Sequence, residues 1–389
     1  MSVTAPEGFV AAGGSAGIKA GGAPDVAVVA SAGGVAVPAA GVFTSNRAAA
    51  APVVVSRTHL ETTGGRAAGV ILTSGNANAA TGRPGRDAAE RLCAETAGSL
   101  GARPEEVLIC QTGLIGIPFP IDVAAPRVHA VTASLAAGRD AATAAARAIM
   151  TTDTAPKEVV VEGSGFVIGG MAKGAAMLAP NMATMLALCT TDADVDARLL
   201  QRCLARAVGP SFNSITVDGC TSTNDTVLVL ASGRAARPSE SEFAAALGEA
   251  CASLAAQMVA DAEGGTKVSH VRVVGAQSDA EAHRAARRVA DSLLVQCSLN
   301  GEDPYWGRVV SELGSAGVRF DIDTVSVAYG GTVVCRHGVA VPHSADEVRR
   351  HMAGRHVEIV CDLGLGPGEG AVLGTDLGYG YIDENRTTS

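Results

Sequence analysis

Apolar positions along this chain fall into two alternating periods. Over residues 87–100 and 139–150, small and branched apolar side chains recur every three to four positions, which predicts amphipathic helices. Three more helices open at capping boxes, Ser239-x-x-Glu242, Ser278-x-x-Glu281 and Ser344-x-x-Glu347. In such a box the Ser oxygen and the Glu carboxylate each take up a backbone N–H that a helix start leaves unpaired. Runs rich in β-branched residues at 158–161, 226–230, 268–274 and 357–361 predict strands. Residues 325–335 alternate and turn at Gly330-Gly331, a hairpin signal. Interleaved helices and strands point to an α/β fold. The chain holds no internal repeat, heptad run or low-complexity linker. A boundary near Gly275, just ahead of the helix opened by Ser278, divides it into residues 1–275 and a smaller C-terminal α/β domain, 276–389.

Composition narrows the picture. At 389 residues the chain is long enough for two domains. Hydrophobic residues make up 47% but aromatics only 3%, so Ala, Val and Leu must build the core, and 47 Gly favour closely packed layers. No apolar run approaches ~18–20 residues, so no transmembrane helix is expected. The first residues lack a basic stretch followed by an apolar one, so no signal peptide is expected. A net charge of −9 argues against nucleic acid or an anionic membrane as partner. The nine Cys are an odd, scattered set without a CxxC pair, which fits a reduced cytoplasmic setting better than disulfides or a zinc site. Each is read as a small buried hydrophobe.

Between residues 173 and 186 the chain reads Lys173-Gly-Ala-Ala-Met-Leu-Ala-Pro-Asn-Met-Ala-Thr-Met-Leu186. This run resembles the self-processing site of the ornithine acetyltransferases, also called glutamate N-acetyltransferases. In that family the Thr of an Ala-Thr pair cuts the chain before itself and becomes the catalytic nucleophile. Here the pair is Ala183-Thr184. An Ala-Thr pair in an apolar stretch carries no meaning alone; the surrounding pattern gives it weight. The chemistry is coherent. A Thr hydroxyl needs a base beside it, and cleavage frees an α-amine whose reference pKa of about 7.7–8 suits that role. One residue then supplies both nucleophile and base. The family usually has Gly where this chain has Ala176.

The resemblance covers residues 5–389 and assigns further positions. Cys110-Gln-Thr-Gly-Leu-Ile-Gly116 follows a strand-like 106–109, and its plainer reading is a tight turn; in the family its Thr112 and Gly113 form the oxyanion hole. Ile149-Met-Thr-Thr-Asp-Thr154 reads as a helix end with capping hydroxyls, and the family places a substrate-binding Thr there, on Thr151 or Thr152. Lys173 is the family's substrate-contacting Lys, suited to an α-carboxylate. In Asp261-Ala-Glu-Gly-Gly-Thr-Lys267, Gly264 suits a left-handed turn and Glu263 corresponds to the residue that meets the substrate amine. Asn385 corresponds to a substrate-binding Asn, and Ser389 stands in for the family's terminal hydroxyl contact. Residues 74–82 and 222–226 also match family signatures and read mainly as structural turns near the active site.

The resemblance implies stacked β-sheets flanked by helices, similar to N-terminal-nucleophile hydrolases, in a self-processing acyltransferase core. Cleavage would leave an α chain, 1–183, and a β chain, 184–389, assembled as an α2β2 heterotetramer without metal or organic cofactor. The implied reaction moves acetyl from N2-acetylornithine to glutamate by a ping-pong route through acetyl-Thr184. Some family members also take acetyl from acetyl-CoA. Gln296 replaces a family Lys and Tyr305 a family Asn. These departures keep open a second reading, the same chemistry on another N-acyl amino acid. A third reading, an uncleaved scaffold, sits poorly with intact Thr112-Gly113, Lys173, Thr184 and Glu263.

Overall fold

The computed structural model describes residues 2–177 and 185–386. Ala183, Thr184 and Ser389 lie outside the described residues. The described chain forms two compact units, one of residues 2–177, 185–213 and 221–258, the other of 214–220 and 259–386.

The first unit stacks two sheets. One runs β1 (Phe9–Gly14), β2 (Val26–Ser31), β5 (Gly69–Asn76), β6 (Val107–Leu114). The other runs β4 (Arg66–Ala67), β3 (Val37–Phe43), β10 (Thr226–Ala231), β9 (Leu186–Thr191), β8 (Phe166–Lys173), β7 (Lys157–Gly163). Side chains alternate across a strand, so each sheet offers two faces. Ala27, Val29, Val70, Leu72, Leu108 and Cys110 of the first sheet share a core with Met171, Leu186, Leu188, Leu228 and Leu230 of the second. The opposite face of the first sheet, with Val28, Ile71 and Ile109, meets α2 (Gly82–Leu100) and α3 (Ile121–Ala133). Helices α1 (Ala51–Thr62), α4 (Arg139–Ala148), α5 (Ala197–Val208) and α6 (Glu240–Ala260) complete the flanks. The scarcity of aromatics is met by close approach: a Cβ on Gly13 of β1 would lie 2.1 Å from the Ala144 carbonyl oxygen of α4.

The second unit holds one sheet, β14 (Val339–Ala340), β13 (Thr332–Arg336), β12 (Ser326–Tyr329), β15 (His356–Asp362), β11 (Val268–Ala276), β16 (Gly368–Thr375). With it go α7 (Asp279–Ala290), α8 (Leu293–Asn300), α9 (Trp306–Gly314), α10 (Ala345–Ala353) and α11 (Tyr379–Asn385). Ala282, Ala285, Ala286 and Val289 line the buried stripe of α7 and join Val271, Val273 and Val372 in the core. The expected α/β class and helix-flanked stacked sheets are therefore what the chain adopts.

All three capping boxes start helices: the Ser239, Ser278 and Ser344 hydroxyls each accept the N–H of the residue three positions on, at 3.3 Å. The hairpin turns at Gly330-Gly331 with φ of +55° and +84°, as a left-handed two-residue turn requires. Four expectations differ from what the structure shows. Residues 110–114 are not a turn after a strand but the end of β6 itself, distorted where its pairing with β5 shifts at Gly75 and Asn76. Helix α6 is long and apolar enough to cross a membrane, because scattered Ser and Gln interrupt the apolar run without making the segment polar. Its Phe243, Leu247, Leu254 and Met258 are nevertheless buried within the protein. Cys220 and Cys297 are exposed, while the other seven Cys are buried as expected. Gly275, the expected boundary, lies inside the second unit near the end of β11.

Where β16 runs beneath α7, a Cβ on Gly370 would fall 2.5 Å from the His283 nitrogen. Gly370→Ala should therefore force helix and strand apart and cost about 1–3 kcal/mol, the usual penalty for overpacking. A urea midpoint equal to that of the native protein would contradict this contact.

Candidate functional site

Residues 112 and 113 occupy the end of β6, facing Ser74 and Gly75 of β5 in parallel register. Gly75 has φ of +103° and Gly113 +131°, values that L side chains rarely adopt. A Cβ on Gly113 would lie 2.3 Å from the Gly75 carbonyl carbon, so the two glycines permit a backbone contact no other residue would allow. Thr112 is buried, and its hydroxyl accepts from Lys173 Nζ at 3.4 Å. Lys173 ends β8 opposite Leu186 of β9, so this bond joins the two stacked sheets at the point where the processing motif begins.

Lys173 sits in a charged cluster. Asp153 accepts from Lys157 Nζ at 2.6 Å and from the Gly174 N–H at 2.8 Å through Oδ1. Its Oδ2 accepts the Thr151 N–H at 2.9 Å. Burial works against the charged form of Asp153, but Lys173, Lys157 and these hydrogen bonds outweigh it and hold the carboxyl at about 2. Thr151 is half-buried through this link and Thr152 is exposed. Lys19 closes the same region by donating from Nζ to the Met150 carbonyl at 2.6 Å, and its stem lies over Gly75. Burial lowers the Lys19 pKa, aided by the nearby Lys173 charge and opposed by Asp25.

The segment 222–226 does more than turn. Asn224 Nδ2 donates to the Ala77 carbonyl at 2.6 Å and to the Gln111 carbonyl, just ahead of Thr112, at 2.9 Å. Asp225 Oδ1 accepts the Met185 N–H at 3.0 Å, and the Thr226 N–H donates to the Met185 carbonyl at 3.1 Å. Met185, directly after Thr184, is thus gripped on both sides.

In the second unit, Glu263 Oε2 accepts from Asn385 Nδ2 at 2.8 Å. Gly264, at φ +62°, makes room for α11: a Cβ there would lie 2.2 Å from the Gly380 carbonyl carbon. Tyr381 of α11 donates to Asp218 Oδ2 at 3.2 Å. Asp376 stiffens the stretch after Glu263 by accepting the N–H groups of Thr266 and Lys267, both at 2.7 Å. Gln296 is buried and donates to the Val217 and Ala290 carbonyls, each at 3.0 Å, so it braces backbone. Tyr305 is exposed, with the Arg308 guanidinium over its ring.

The structure thus brings Thr112, Gly113, Lys173 and Thr151 into one region of the first unit, and Glu263 with Asn385 in the second. Sequence reading missed Asp153, Lys19, Asp225 and Asp376. Only Asp153 left a usable trace, the Asp-x-x-x-Lys spacing to Lys157. Among the described residues no group of three or more His, Cys, Asp or Glu is arranged to hold a metal ion.

The family model for the ArgJ family matches residues 10–387. The chain is 44% identical over 390 residues to the arginine biosynthesis bifunctional protein ArgJ of Streptomyces avermitilis, covering 100% of both chains. It is 45% identical over 396 residues to that of Mycolicibacterium paratuberculosis, covering 100% of this chain and 96% of the relative. Among solved structures, the ornithine acetyltransferase of Mycobacterium tuberculosis complexed with ornithine is 41% identical, covering 46% of this chain and 94% of that one at a TM-score of 0.42.

Asp153→Asn removes the carboxylate that two buried ammonium groups face. It should cost roughly 3–5 kcal/mol at pH 7, as breaking a buried ion pair does. The native carboxyl is depressed from 3.8 to about 2, so its contribution is fully present above the unfolded value and fades as pH falls through the folded one. Denaturant curves of native and variant protein should therefore converge at low pH. Equal stabilities at pH 7 would refute the assignment.

Proposed function

The chain belongs to the ArgJ family, and on that footing we propose that it moves an acetyl group from N2-acetylornithine to glutamate through an ester on Thr184. It is an acyltransferase of arginine biosynthesis. The observation that supports the mechanistic reading is the 3.4 Å approach of Lys173 Nζ to Thr112 Oγ1, which sets the Lys proposed to meet the carboxylate beside the Thr proposed to meet the oxyanion.

In this reading the chain first cleaves itself between Ala183 and Thr184. The freed Thr184 α-amine then takes the proton of its own hydroxyl as Oγ1 attacks the acetyl carbonyl. Thr112 and Gly113 donate to the oxyanion that forms, and the same donors serve again when glutamate attacks the ester. Lys173 meets the α-carboxylate and Glu263 the amine, with Thr151 or Thr152, Asn385 and Ser389 completing substrate contact. Asn385 holds Glu263 through the 2.8 Å bond, which supports a shared role. Assembly is proposed as an α2β2 heterotetramer in the cytoplasm, a compartment that suits nine free thiols.

Purified protein should separate on a denaturing gel into two fragments, one beginning Thr-Met-Leu-Ala, and Thr184→Ala should remain one chain. Recovery of native protein without that N-terminus would end the self-processing reading.

Thr112→Ala should lower turnover by about 10²–10³, the effect of losing one oxyanion donor, with little change in the Michaelis constant. A variant with native turnover would remove Thr112 from the oxyanion site.

A further inference from the structure

The parallel ladder of β5 and β6 keeps one register from Gly69 and Val107 to Gly75 and Gly113, then slips at Asn76, which faces both Thr112 and Leu114. Pairing alone therefore does not fix the backbone of Thr112 and Gly113, read above as oxyanion donors. Resting on that reading, we propose that Gln111 is a positioning residue for the oxyanion site, its side chain holding the end of β6 where the ladder loses register.

Burial and chemistry single Gln111 out. Side chains alternate along β6, so Gln111 follows Val107 and Ile109 on the face that meets the helices, while Thr112 follows Leu108 and Cys110 on the other. A Leu at 111 would continue the apolar face and need no partner. A fully buried amide there is costly unless both of its ends are bonded. Both are: Oε1 accepts from Asn78 Nδ2 at 2.8 Å, and Nε2 donates to Thr73 Oγ1, across the ladder on β5, at 3.2 Å. With the Asn224 bond to its carbonyl at 2.9 Å, Gln111 is held on three sides.

The partner is itself anchored. Asn78 Nδ2 also donates to the Gly85 carbonyl of α2 at 2.8 Å, and its Oδ1 accepts from Thr81 Oγ1 at 2.7 Å. The Asn78 N–H donates to Asn76 Oδ1 at 2.8 Å, and Asn76 Nδ2 donates to the Ile117 and Pro118 carbonyls, each at 3.2 Å. One network thus grips the chain just before Thr112 and again beyond Leu114. Ala80, in the same segment, takes a left-handed φ of +56°, which Ala adopts only where its surroundings hold it. The stretch that supplies the partner of Gln111 is therefore shaped by its bonds and not by local preference.

The Gln111 amide is uncharged and lies on the face away from the one on which Thr112 meets Lys173. Its effect on acyl transfer runs through the backbone. Oxyanion donors act at about 2.7–3.1 Å from the developing charge, and a misplacement of about 1 Å can cost about 10² in rate. A side chain that fixes the peptides on either side of Thr112 thus acts on turnover without touching substrate.

The test is acetyl transfer from N2-acetylornithine to glutamate by purified Gln111→Leu, alone and combined with Thr112→Ala, with thermal midpoints measured alongside. Gln111→Leu should lower kcat by about 10- to 100-fold while the Michaelis constants stay within about twofold, because oxyanion donors act in the transition state. In the Thr112→Ala background the same substitution should cost about threefold or less, since the donor it places is already gone. Thr73→Val keeps a β-branched side chain on β5 and removes only the acceptor of Nε2, so it should lower kcat by about three- to tenfold. Native kcat in Gln111→Leu, with or without a lower midpoint, overturns the proposal. If that variant does not fold, native kcat in Thr73→Val overturns it. Equal losses in the two backgrounds do so as well, because Gln111 would then act independently of Thr112. Native turnover in Thr112→Ala alone would instead overturn the oxyanion reading on which the proposal rests.

Discussion

Two neighbouring side chains, Asn224 and Asp225, fasten the working parts of the first unit to one another. Asn224 holds the backbone just before Thr112 on one sheet, and Asp225 holds the backbone just after Thr184, ahead of β9 on the other. Acyl transfer demands that nucleophile and oxyanion donors agree to within a fraction of an ångström. Stacked sheets can slide or twist relative to each other, so a short segment bonded to both is what converts stacking into fixed geometry. Lys173 adds a second tie at the same place through its contact with Thr112.

Backbone sterics and buried charge make that geometry possible. Gly75 and Gly113 come to backbone contact at left-handed φ values, a close approach of β5 and β6 that a Cβ on Gly113 would block. Asp153 supplies the negative charge that the buried Lys157 and Lys173 side chains face, and its bonds to the Thr151 and Gly174 N–H groups hold those two backbone segments together. The large share of Ala and Gly serves the same end, since helices and sheets can close to backbone contact where aromatic side chains would hold them apart.

Much of this was legible in the sequence. The capping boxes placed α6, α7 and α10, and β-branched runs placed β7, β10, β11 and β15, because those signals act through local backbone chemistry. Thr112, Lys173 and Glu263 were singled out through motifs with specific neighbours, and the structure sets Lys173 against Thr112 and Asn385 against Glu263. What escaped were residues whose roles depend on distant partners. Asp225 lies in a signature segment, but its partner Met185 is 40 positions away, and Asp376 lies 110 from Thr266, so no local pattern could give either contact. The end of β6 was misread as a turn because Gly113 signals flexibility in sequence, whereas its strained φ is held by pairing with β5. Gln296, which stands where the resembling family has a Lys, is a brace between backbone carbonyls.

The central claim is that Thr184 carries the acetyl group between two half-reactions. Mass spectrometry of the β chain after exposure to N2-acetylornithine alone tests this most directly. One added acetyl group on the fragment that begins at Thr184, discharged when glutamate is supplied, is the predicted result. A β chain that stays unmodified with N2-acetylornithine while the complete reaction still turns over would contradict the account. Labelling by a different N-acetyl amino acid, with N2-acetylornithine inert, would keep the mechanism and contradict the substrate.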